Sequence, residues 1–345
     1  MKAVRLRNQE ELAVQDVEQP SPGPGEIVLR IRSAHICGTD MRMYKHGHKG
    51  PAKGSYLTLG QIGSGGIAAL GDGVESYTRG TPAVVAPNYG CGVCDLCVSG
   101  QTHLCKHSEA LGVTRDGGFA EYLLVPARAV SQGNVSQLQA GTSLPEAALA
   151  EPLSCVINAF ERSHGNVGET VLVIGAGPIG LMHAILHKAA GAGKVMINDI
   201  NAERLQVAER IDPEFVTING DPEPFVAEET NGAGADVVIT AAPVPAIQRT
   251  ALEVAAINGR VVFFGGLPKD RSEVTLDTNI IHYNQLFVTG TTRQSLKQFR
   301  EAVAMIESGR VNLKPIITDS FDLSQAQSAF EHALQGKGLR TGFSV

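Results

Sequence analysis

A glycine-rich turn stands directly between an apolar strand pattern and a helical pattern, and it restricts the fold of the middle of this chain. The residues Glu169–Ile174 read as a short buried strand, and the hexapeptide Gly-Ala-Gly-Pro-Ile-Gly follows without a gap. A helical pattern then runs towards Lys188. A strand, a G-x-G-x-x-G turn and a helix in this order are typical of the first βαβ unit of a dinucleotide-binding sheet.

The residues of this turn have separate expected tasks. Gly175 makes the tight turn, Gly177 lets the backbone approach a pyrophosphate, and Gly180 lets the helix and the strand pack closely. Pro178 and Ile179 complete the expected site, where free amides and the positive end of the helix dipole would bind the phosphates. The alternative interpretation is that these glycines only form a turn.

An acidic residue at the end of the next apparent strand indicates which dinucleotide binds. Asp199 lies 24 residues after Gly175, where a carboxylate accepts hydrogen bonds from ribose hydroxyls and repels a 2′-phosphate. We therefore predict NAD rather than NADP. On the alternative interpretation, Asp199 only caps the following helix. Arg204 is either a phosphate contact or an exposed helix residue.

The distribution of apolar runs predicts two domains of different architecture. Short apolar runs alternate with helical segments from about residue 165 to 290, a pattern that predicts a doubly wound parallel sheet. Residues 1 to about 150 read mostly as strands and loops. We therefore predict an α/β protein with a β-rich domain over 1–150, completed by 290–345, and a nucleotide-binding domain over 151–289.

The last sixty residues contain a helical pattern whose start and buried face can be predicted. Ser324 begins a Ser-x-x-Gln sequence, which is typical of a capping box. Helical spacing then places Ala326, Ala329 and Phe330 on one face. We expect this face to pack against the β-rich domain.

Four of the six cysteines are crowded into fifteen positions. Their spacing is C-x2-C-x2-C-x7-C, and the residues are Cys91, Cys94, Cys97 and Cys105. Four thiolates suit a closed tetrahedral zinc site of the structural kind. The bacterial ferredoxin run instead has a three-residue gap and a proline at its last step, so an iron–sulfur cluster is disfavoured. In a reducing compartment, such crowding indicates metal rather than disulfides.

Composition excludes several partner classes. The 345 residues carry a net charge of −6 without a basic run interleaved with aromatics, which disfavours nucleic acid. The first residues are charged where a secretory signal is apolar. The most apolar region, near 171–186, is broken by glycine and proline and is too short for a membrane span. We expect a cytoplasmic protein that binds small molecules.

The chain resembles the zinc-containing medium-chain dehydrogenases, particularly the sorbitol, threonine and related sugar-alcohol dehydrogenases. Besides the motifs above, the resemblance is carried by Cys37-Gly-Thr-Asp40, by 116–122 and by Glu151-Pro152, and it covers essentially the whole chain. It implies a GroES-like β-rich catalytic domain plus a Rossmann domain. It also implies NAD-dependent oxidation of a secondary alcohol, such as a polyol, sugar alcohol or sugar acid, by a homodimer or homotetramer.

The resemblance further implies a catalytic zinc. In the family this metal is bound by a cysteine that Cys37 matches, by a His-Glu pair, and often by a glutamate that Glu151 matches. Thr39 matches the hydroxyl that begins the family's proton relay, although a threonine here could equally cap local backbone. Zinc would bind the alcohol and stabilise its alkoxide while hydride passes to the nicotinamide.

The sequence departs from the family at the His-Glu pair, where it has Gln61 and Ile62. Glutamine offers a neutral amide oxygen and isoleucine offers no donor atom, so both are poor substitutes on zinc. His35, His46 or His48 could supply a replacement nitrogen, although a solvated loop histidine is the simpler interpretation of each.

Three functional hypotheses therefore stay open. The first is a zinc-assisted, NAD-dependent alcohol or polyol dehydrogenase. The second is a zinc-independent nicotinamide reductase of the same fold. The third is a protein that binds NAD without transferring hydride, because its catalytic zinc site has been lost.

Overall fold

A computed structural model of the chain describes residues 1–48 and 54–345. These residues divide into two compact units. One, here called the β-rich unit, comprises Met1–Ser154 and Gln294–Val345, and the other, here called the parallel-sheet unit, comprises Cys155–Arg293. The dividing points lie within a few residues of the predicted ones at 150/151 and 289/290.

The β-rich unit begins with a run of short strands and short helices. In chain order these are β1 (Lys2–Leu6), β2 (Leu12–Asp16), β3 (Ile27–His35), α1 (Gly38–His46), β4 (Leu57–Thr58), β5 (Ile62–Leu70), β6 (Pro82–Val85), β7 (Asn88–Tyr89), α2 (Asp95–Val98), β8 (Glu109–Ala110), β9 (Tyr122–Val125), α3 (Ala127–Ser131), β10 (Val135–Gln137), α4 (Leu144–Ala148) and α5 (Ala150–Ser163). The last of these helices continues into the parallel-sheet unit.

The parallel-sheet unit alternates strands with helices. In chain order these are β11 (Thr170–Ile174), α6 (Pro178–Ala189), β12 (Lys194–Asp199), α7 (Ala202–Ile211), β13 (Val216–Asn219), α8 (Pro222–Glu229), β14 (Ala235–Thr240), α9 (Pro245–Glu253), β15 (Ala255–Phe263), α10 (Thr278–Tyr283) and β16 (Phe287–Gly290). The chain then returns to the β-rich unit with α11 (Leu296–Glu307), β17 (Ile317–Asp322), α12 (Ala326–Leu334) and β18 (Arg340–Ser344).

The strands of the parallel-sheet unit pair in the order β13-β12-β11-β14-β15-β16, and every pair is parallel. Successive residues of β11 enter different cores, with Leu172 in one cluster and Val171 and Val173 in another. Because side chains alternate across a strand, this valine-rich run is buried on both faces. The order reverses between β11 and β14, and such a switch point leaves a crevice at the carboxyl ends of the strands.

The central strand of the β-rich unit is β3, which pairs with β5 on one side and, over its carboxyl half, with β18 on the other. Among the described residues, this sheet has seven strands. The strand from the chain's end is held by aromatic packing. Phe343 lies against Phe119 with ring centroids 4.9 Å apart, and Phe330 of α12 lies 6.2 Å from Phe119. The C-terminal segment therefore completes the core begun by the first residues.

The α12 helix shows where a local prediction succeeds and where it is wrong. Ala326, Ala329 and Phe330 are buried, as their spacing predicts. The predicted capping box at Ser324 is wrong, because the box that forms joins Asp322 to Gln325 at the start of a short 3-10 helix. An aspartate is as good an N-cap as a serine, so Asp322, two residues earlier, takes the role predicted for Ser324.

The observed sheets confirm the predicted α/β class, with a β-rich domain and a doubly wound parallel sheet. No helix in the described ranges is long and apolar enough to cross a membrane.

Candidate functional site

The glycine turn after β11 has the geometry that its sequence predicts. Gly175 has a φ of 112°, a conformation that favours glycine, and a Cβ at Gly180 would lie 1.7 Å from the carbonyl oxygen of Gly175. A Cβ at Gly177 would meet nothing within 4 Å. The space beside Gly177 is therefore open to a ligand, whereas Gly180 is fixed by close packing of the chain.

The first turn of α6 faces this open space. Gly177 is the N-cap residue, Pro178 and Ile179 follow it, and no side chain caps the helix. Uncapped amides at a helix N-terminus bind anions because they carry the positive end of the helix dipole. The residues present therefore fit the pyrophosphate of a dinucleotide.

The Asp199 carboxylate is held beside the same turn. The amide of Ala176 donates to Asp199 Oδ2 at 2.7 Å, and the amide of Asn201 donates to Oδ1 at 2.8 Å. The side chain is 8 % exposed. Each carboxylate oxygen has a further lone pair, so the fixed group can still accept a hydrogen bond from a ribose hydroxyl.

The contacts around Asp199 decide whether it caps the following helix, and they give Arg204 a partner. The N-cap of α7 is Asn201, whose side chain accepts the amides of Glu203 and Arg204, so Asp199 is not the helix cap. The Arg204 Nη1 atom lies 3.8 Å from Asp199 Oδ2. Arg204 is thus an ion-pair partner of the acid, and its contact with a phosphate stays a prediction.

The four clustered cysteines form a compact sulfur site. All four Sγ atoms lie within 4.8 Å of one another, with Cys91 to Cys97 at 3.9 Å and Cys94 to Cys105 at 3.7 Å. Zinc–sulfur bonds of about 2.3 Å in a tetrahedron place sulfur atoms about 3.8 Å apart. These residues therefore fit a structural zinc.

The backbone around this lobe supports bound thiolates. The backbone amides of Val93 and Cys94 lower the pKa of the Cys91 thiol to about 6. The amides of Cys91 and His107 donate to Cys105 Sγ at 3.4 and 3.3 Å. A Cβ at Gly90 would lie 2.4 Å from Cys97 Sγ, so only glycine lets the chain pass this close to the sulfurs.

The residues matching the family's catalytic-zinc region meet in the β-rich unit, and Asp40 organises them. Its carboxylate accepts the amide of Cys37 at 2.9 Å and the amide of Gly60 at 3.1 Å. Gly60 has a φ of 103° and passes against Phe119. These two hydrogen bonds join the start of α1 to the turn before β5, and they place Gln61 next to the Cys37 side chain.

The side chain next to Cys37 is the amide of Gln61. Cys37 Sγ donates to Gln61 Oε1 at 3.8 Å. Glu151 lies in the first turn of α5. Burial raises the pKa of the Cys37 thiol well above its usual value, and the charges of Asp40 and Glu151 raise it further. Burial also raises the pKa of Asp40 to about 6.

Arg340 is a charged member of this region that sequence analysis misses. It is buried, and its Nη1 donates to the carbonyl oxygen of Ile36 at 2.9 Å. Burial lowers its pKa, while Cys37, Glu151 and Asp40 act in the opposite direction. No local pattern could reveal it, because Arg340 and Ile36 are 304 positions apart.

The region does not fit a catalytic zinc. Ile62 is fully buried and has no donor atom, and Gln61 offers one neutral oxygen. Within residues 1–48 and 54–345, the cysteine lobe is the one group of three or more close His, Cys, Asp or Glu side chains that could bind a metal. Cys37 and Glu151 remain, without the third protein ligand that catalytic zinc sites have.

The three histidines considered as replacement ligands lie in other environments. His35 Nε2 is 3.0 Å from the carbonyl oxygen of Pro145, and burial lowers the pKa of His35 to about 4. His48 Nε2 is 2.9 Å from the carbonyl oxygen of Ser55, and His46 is exposed at the end of α1. Thr39 lies half-buried in the first turn of α1.

Comparison with known proteins identifies both halves of the chain. Residues 23–135 match the alcohol dehydrogenase GroES-like domain, and residues 178–308 match the zinc-binding dehydrogenase domain. L-threonine 3-dehydrogenase of Thermococcus kodakarensis is 31 % identical, covering 93 % of this chain and 91 % of that protein. Sorbitol dehydrogenase of Bacillus subtilis is 31 % identical, covering 98 % and 94 %.

A solved structure with the same fold contains a nicotinamide cofactor. It is a zinc-binding dehydrogenase from Sinorhizobium meliloti 1021 bound to NADP. It is 28 % identical, with a TM-score of 0.91, and the alignment covers 100 % of this chain and 99 % of that one.

Proposed function

Because the chain belongs to the zinc-containing medium-chain dehydrogenase family, we propose that it transfers a hydride between a secondary alcohol and NAD. The observation that carries this proposal is the turn of Gly175–Gly180, with open space at Gly177 and the Asp199 carboxylate beside it. The proposed substrates are polyols, sugar alcohols or sugar acids. The relative named for sorbitol supports the sugar alcohols, and the relative named for L-threonine supports a secondary alcohol in general, since both molecules carry a secondary hydroxyl.

The residues of the parallel-sheet unit would bind and orient the cofactor. NAD, when bound, supplies the carbon that accepts the hydride. The uncapped amides at the start of α6 would hold the pyrophosphate, and Gly177 leaves room for it. Asp199 would accept hydrogen bonds from the adenosine ribose, and its charge would oppose a 2′-phosphate. We therefore propose NAD as the preferred cofactor.

The cysteine lobe would hold zinc with a structural role. Its four thiolates leave no open position on a tetrahedral metal, so this zinc would take no part in the reaction. The metal would instead fix the loop from Cys91 to Cys105, whose regular structure is limited to the four-residue α2 and a three-residue 3-10 helix.

The proposed assembly is a homodimer or homotetramer, and the proposed location is the cytoplasm. Cys37, Cys91, Cys94, Cys97 and Cys105 form no disulfide, which supports a reducing compartment. The oligomer rests on the family alone. Sedimentation of the purified protein would test it.

The first experiment measures NADH formation with a panel of secondary alcohols, including sorbitol and L-threonine, and NADH consumption with the matching ketones. NAD and NADP are compared on each substrate. We expect turnover with NAD that is lost in Gly177→Val. This substitution fills the open space without a contact within 4 Å of the new Cβ, so the unfolding temperature should change little.

Each outcome favours one of the three hypotheses. Turnover of one substrate class supports the proposal. Reduction of ketones or quinones without alcohol oxidation would favour a reductase of the same fold. Tight NADH binding with no turnover on any substrate would favour a protein that only binds the cofactor, and absence of both binding and turnover would overturn the proposal.

A further inference from the structure

We infer that the substrate centre of this chain works without a metal, and that the side-chain amide of Gln61 donates a hydrogen bond to the reacting oxygen of the substrate. The inference rests on the proposed function, because it assumes that an alcohol or ketone is the substrate. It assigns Gln61 a role at the position where the family has a zinc-binding histidine.

The donor set around Cys37 lacks two of the ligands that bind the family's catalytic zinc. Glutamine and isoleucine replace a nitrogen and an oxygen ligand, and in the described part of the chain no histidine completes a group of three close metal ligands with Cys37. Ile62 cannot rotate out to admit a substitute ligand, because it is fully buried as the first residue of β5 and is paired with His35. Ile62 is therefore a core residue, and a metal at this position would lack two of the protein ligands that the family's zinc has.

The Gln61 amide is oriented by its contact with Cys37. The thiol of Cys37 donates to Gln61 Oε1, so the oxygen end of the amide points at the sulfur. A glutamine amide has two further donors on Nε2. In the described part of the chain, neither has a hydrogen-bond partner, and the side chain is half-buried rather than sealed. The free end of the amide is therefore an oriented donor that a ligand can reach.

Hydrogen bonds to Asp40 hold Cys37 and the residue before Gln61 in place. Asp40 accepts the amides of both Cys37 and Gly60, which fixes the residue before Gln61 relative to the sulfur. The Gly60 carbonyl oxygen also accepts the amide of Gly118 at 2.8 Å, which holds this residue from its other side. A donor held in advance stabilises charge that develops on an oxygen more effectively than a mobile one.

The chemistry that follows favours carbonyl reduction. The C–H bond of the dihydronicotinamide breaks, a C–H bond forms at the carbonyl carbon, and the oxygen takes a proton from water. The Gln61 N–H groups would stabilise the negative charge that grows on this oxygen. Unlike a divalent cation, a neutral amide lowers the pKa of an alcohol only weakly, so alcohol oxidation would be the slower direction near neutral pH.

Metal analysis tests the first half of the inference without using turnover. Elemental analysis of the gel-filtered protein, prepared with zinc in the medium, should find about one zinc per chain. Cys37→Ser should leave that value unchanged, whereas Cys94→Ser should remove the zinc of the lobe. Two zinc ions in the parent protein, falling to one in Cys37→Ser, would overturn the metal-free centre.

Kinetics with a ketone and NADH test the second half. Gln61→Leu removes the donor without adding a metal ligand, and kcat/KM for reduction should fall about 100-fold, as for loss of one oxyanion donor. Cys37→Ala removes only the thiol that orients the amide, and it should cost less than about tenfold, because the N–H groups remain. The NADH dissociation constant should be the same in both variants and the parent.

The outcomes separate this inference from the proposed function. Equal, complete loss of activity in Cys37→Ala and Gln61→Leu would point to a metal bound through Cys37. Unchanged kcat/KM in Gln61→Leu would show that the amide does not contact the substrate. If the parent protein turns over no substrate, the proposed function and the donor role both fail, while the zinc content still decides whether the centre is metal-free.

Discussion

Replacing Asp199 by asparagine should weaken NAD binding and relax the choice between NAD and NADP. The carboxylate accepts the amides of Ala176 and Asn201 and keeps one lone pair on each oxygen for the ribose. Asparagine keeps the size of the side chain. It turns one oxygen into a donor and removes the negative charge.

The magnitude follows from the two hydrogen bonds that the ribose diol would make. A bond to a charged acceptor is worth about 1.5–3 kcal/mol and a neutral one about 0.5–1.5 kcal/mol, so each hydroxyl loses about 1–1.5 kcal/mol. Two hydroxyls lose about 2–3 kcal/mol, which corresponds to an NAD dissociation constant about 30- to 150-fold higher. NADP should lose less, because the charge that repels its 2′-phosphate is gone.

Fluorescence titration of NADH and NADPH would measure both constants. Glu203→Gln is the matched control, because it removes a neighbouring charge at an exposed position of α7. An NADH constant that rises by less than about threefold in Asp199→Asn, roughly 0.7 kcal/mol, would refute the ribose contact. So would an equal loss for NADH and NADPH, since the preference would then not depend on this charge.

Three further predictions concern stability and metal. Gly180→Ala should lower the unfolding temperature measured by circular dichroism and weaken NADH binding, because the new Cβ would lie 1.7 Å from the carbonyl oxygen of Gly175; an unchanged temperature would contradict the close packing. Cys94→Ser, or a strong chelator, should release zinc and expose the loop from Cys91 to Cys105 to protease, whereas mild chelation should leave ketone reduction unchanged. Burial lowers the pKa of His187 to about 4, so the unfolded chain binds a proton at this side chain before the folded chain does. The free energy of unfolding should therefore fall as pH drops from about 6.5 to 4, at up to about 1.4 kcal/mol per pH unit. His187→Phe should reduce that slope in urea unfolding measured across this pH range, and an unchanged slope would assign it to other groups.

The comparisons confirm the family and enzyme class predicted from the sequence. The two domain matches and the relatives at 31 % identity make the chain an alcohol dehydrogenase by class, with a nicotinamide cofactor. The zinc lobe and the glycine turn are the motifs that carried this prediction. The residues assigned to the cofactor site and to the substrate centre stay predictions, and the structure adds contacts that bear on two of them.

Those two residues are Arg204 and Gln61. Arg204 was predicted to be either a phosphate contact or an exposed helix residue, and the structure adds an ion pair with Asp199. Gln61 was considered only as a weakened zinc ligand, but its oxygen accepts the Cys37 thiol and its nitrogen is left as a donor. A one-letter sequence states which atoms a side chain has, whereas the direction of the amide depends on the partner that folding brings to it.

The sequence by itself determined the features whose residues are close together along the chain. The turn of Gly175–Gly180 and the lobe of Cys91–Cys105 each fit within a short segment, so spacing alone limits the geometry that the backbone can adopt. The alternation of apolar runs determined the parallel sheet for the same reason, since strand and helix periodicities are local.

Only the tertiary structure decided what surrounds Cys37. Arg340 reaches Ile36 across 304 positions, Asp40 joins Cys37 to Gly60, and Phe343 completes the core beside Phe119. The pairing of β18 with β3 decides which distant groups meet. Burial then shifts the pKa values of these groups and limits their hydrogen-bond partners. No spacing rule contains that information, because it belongs to the whole core rather than to any one segment.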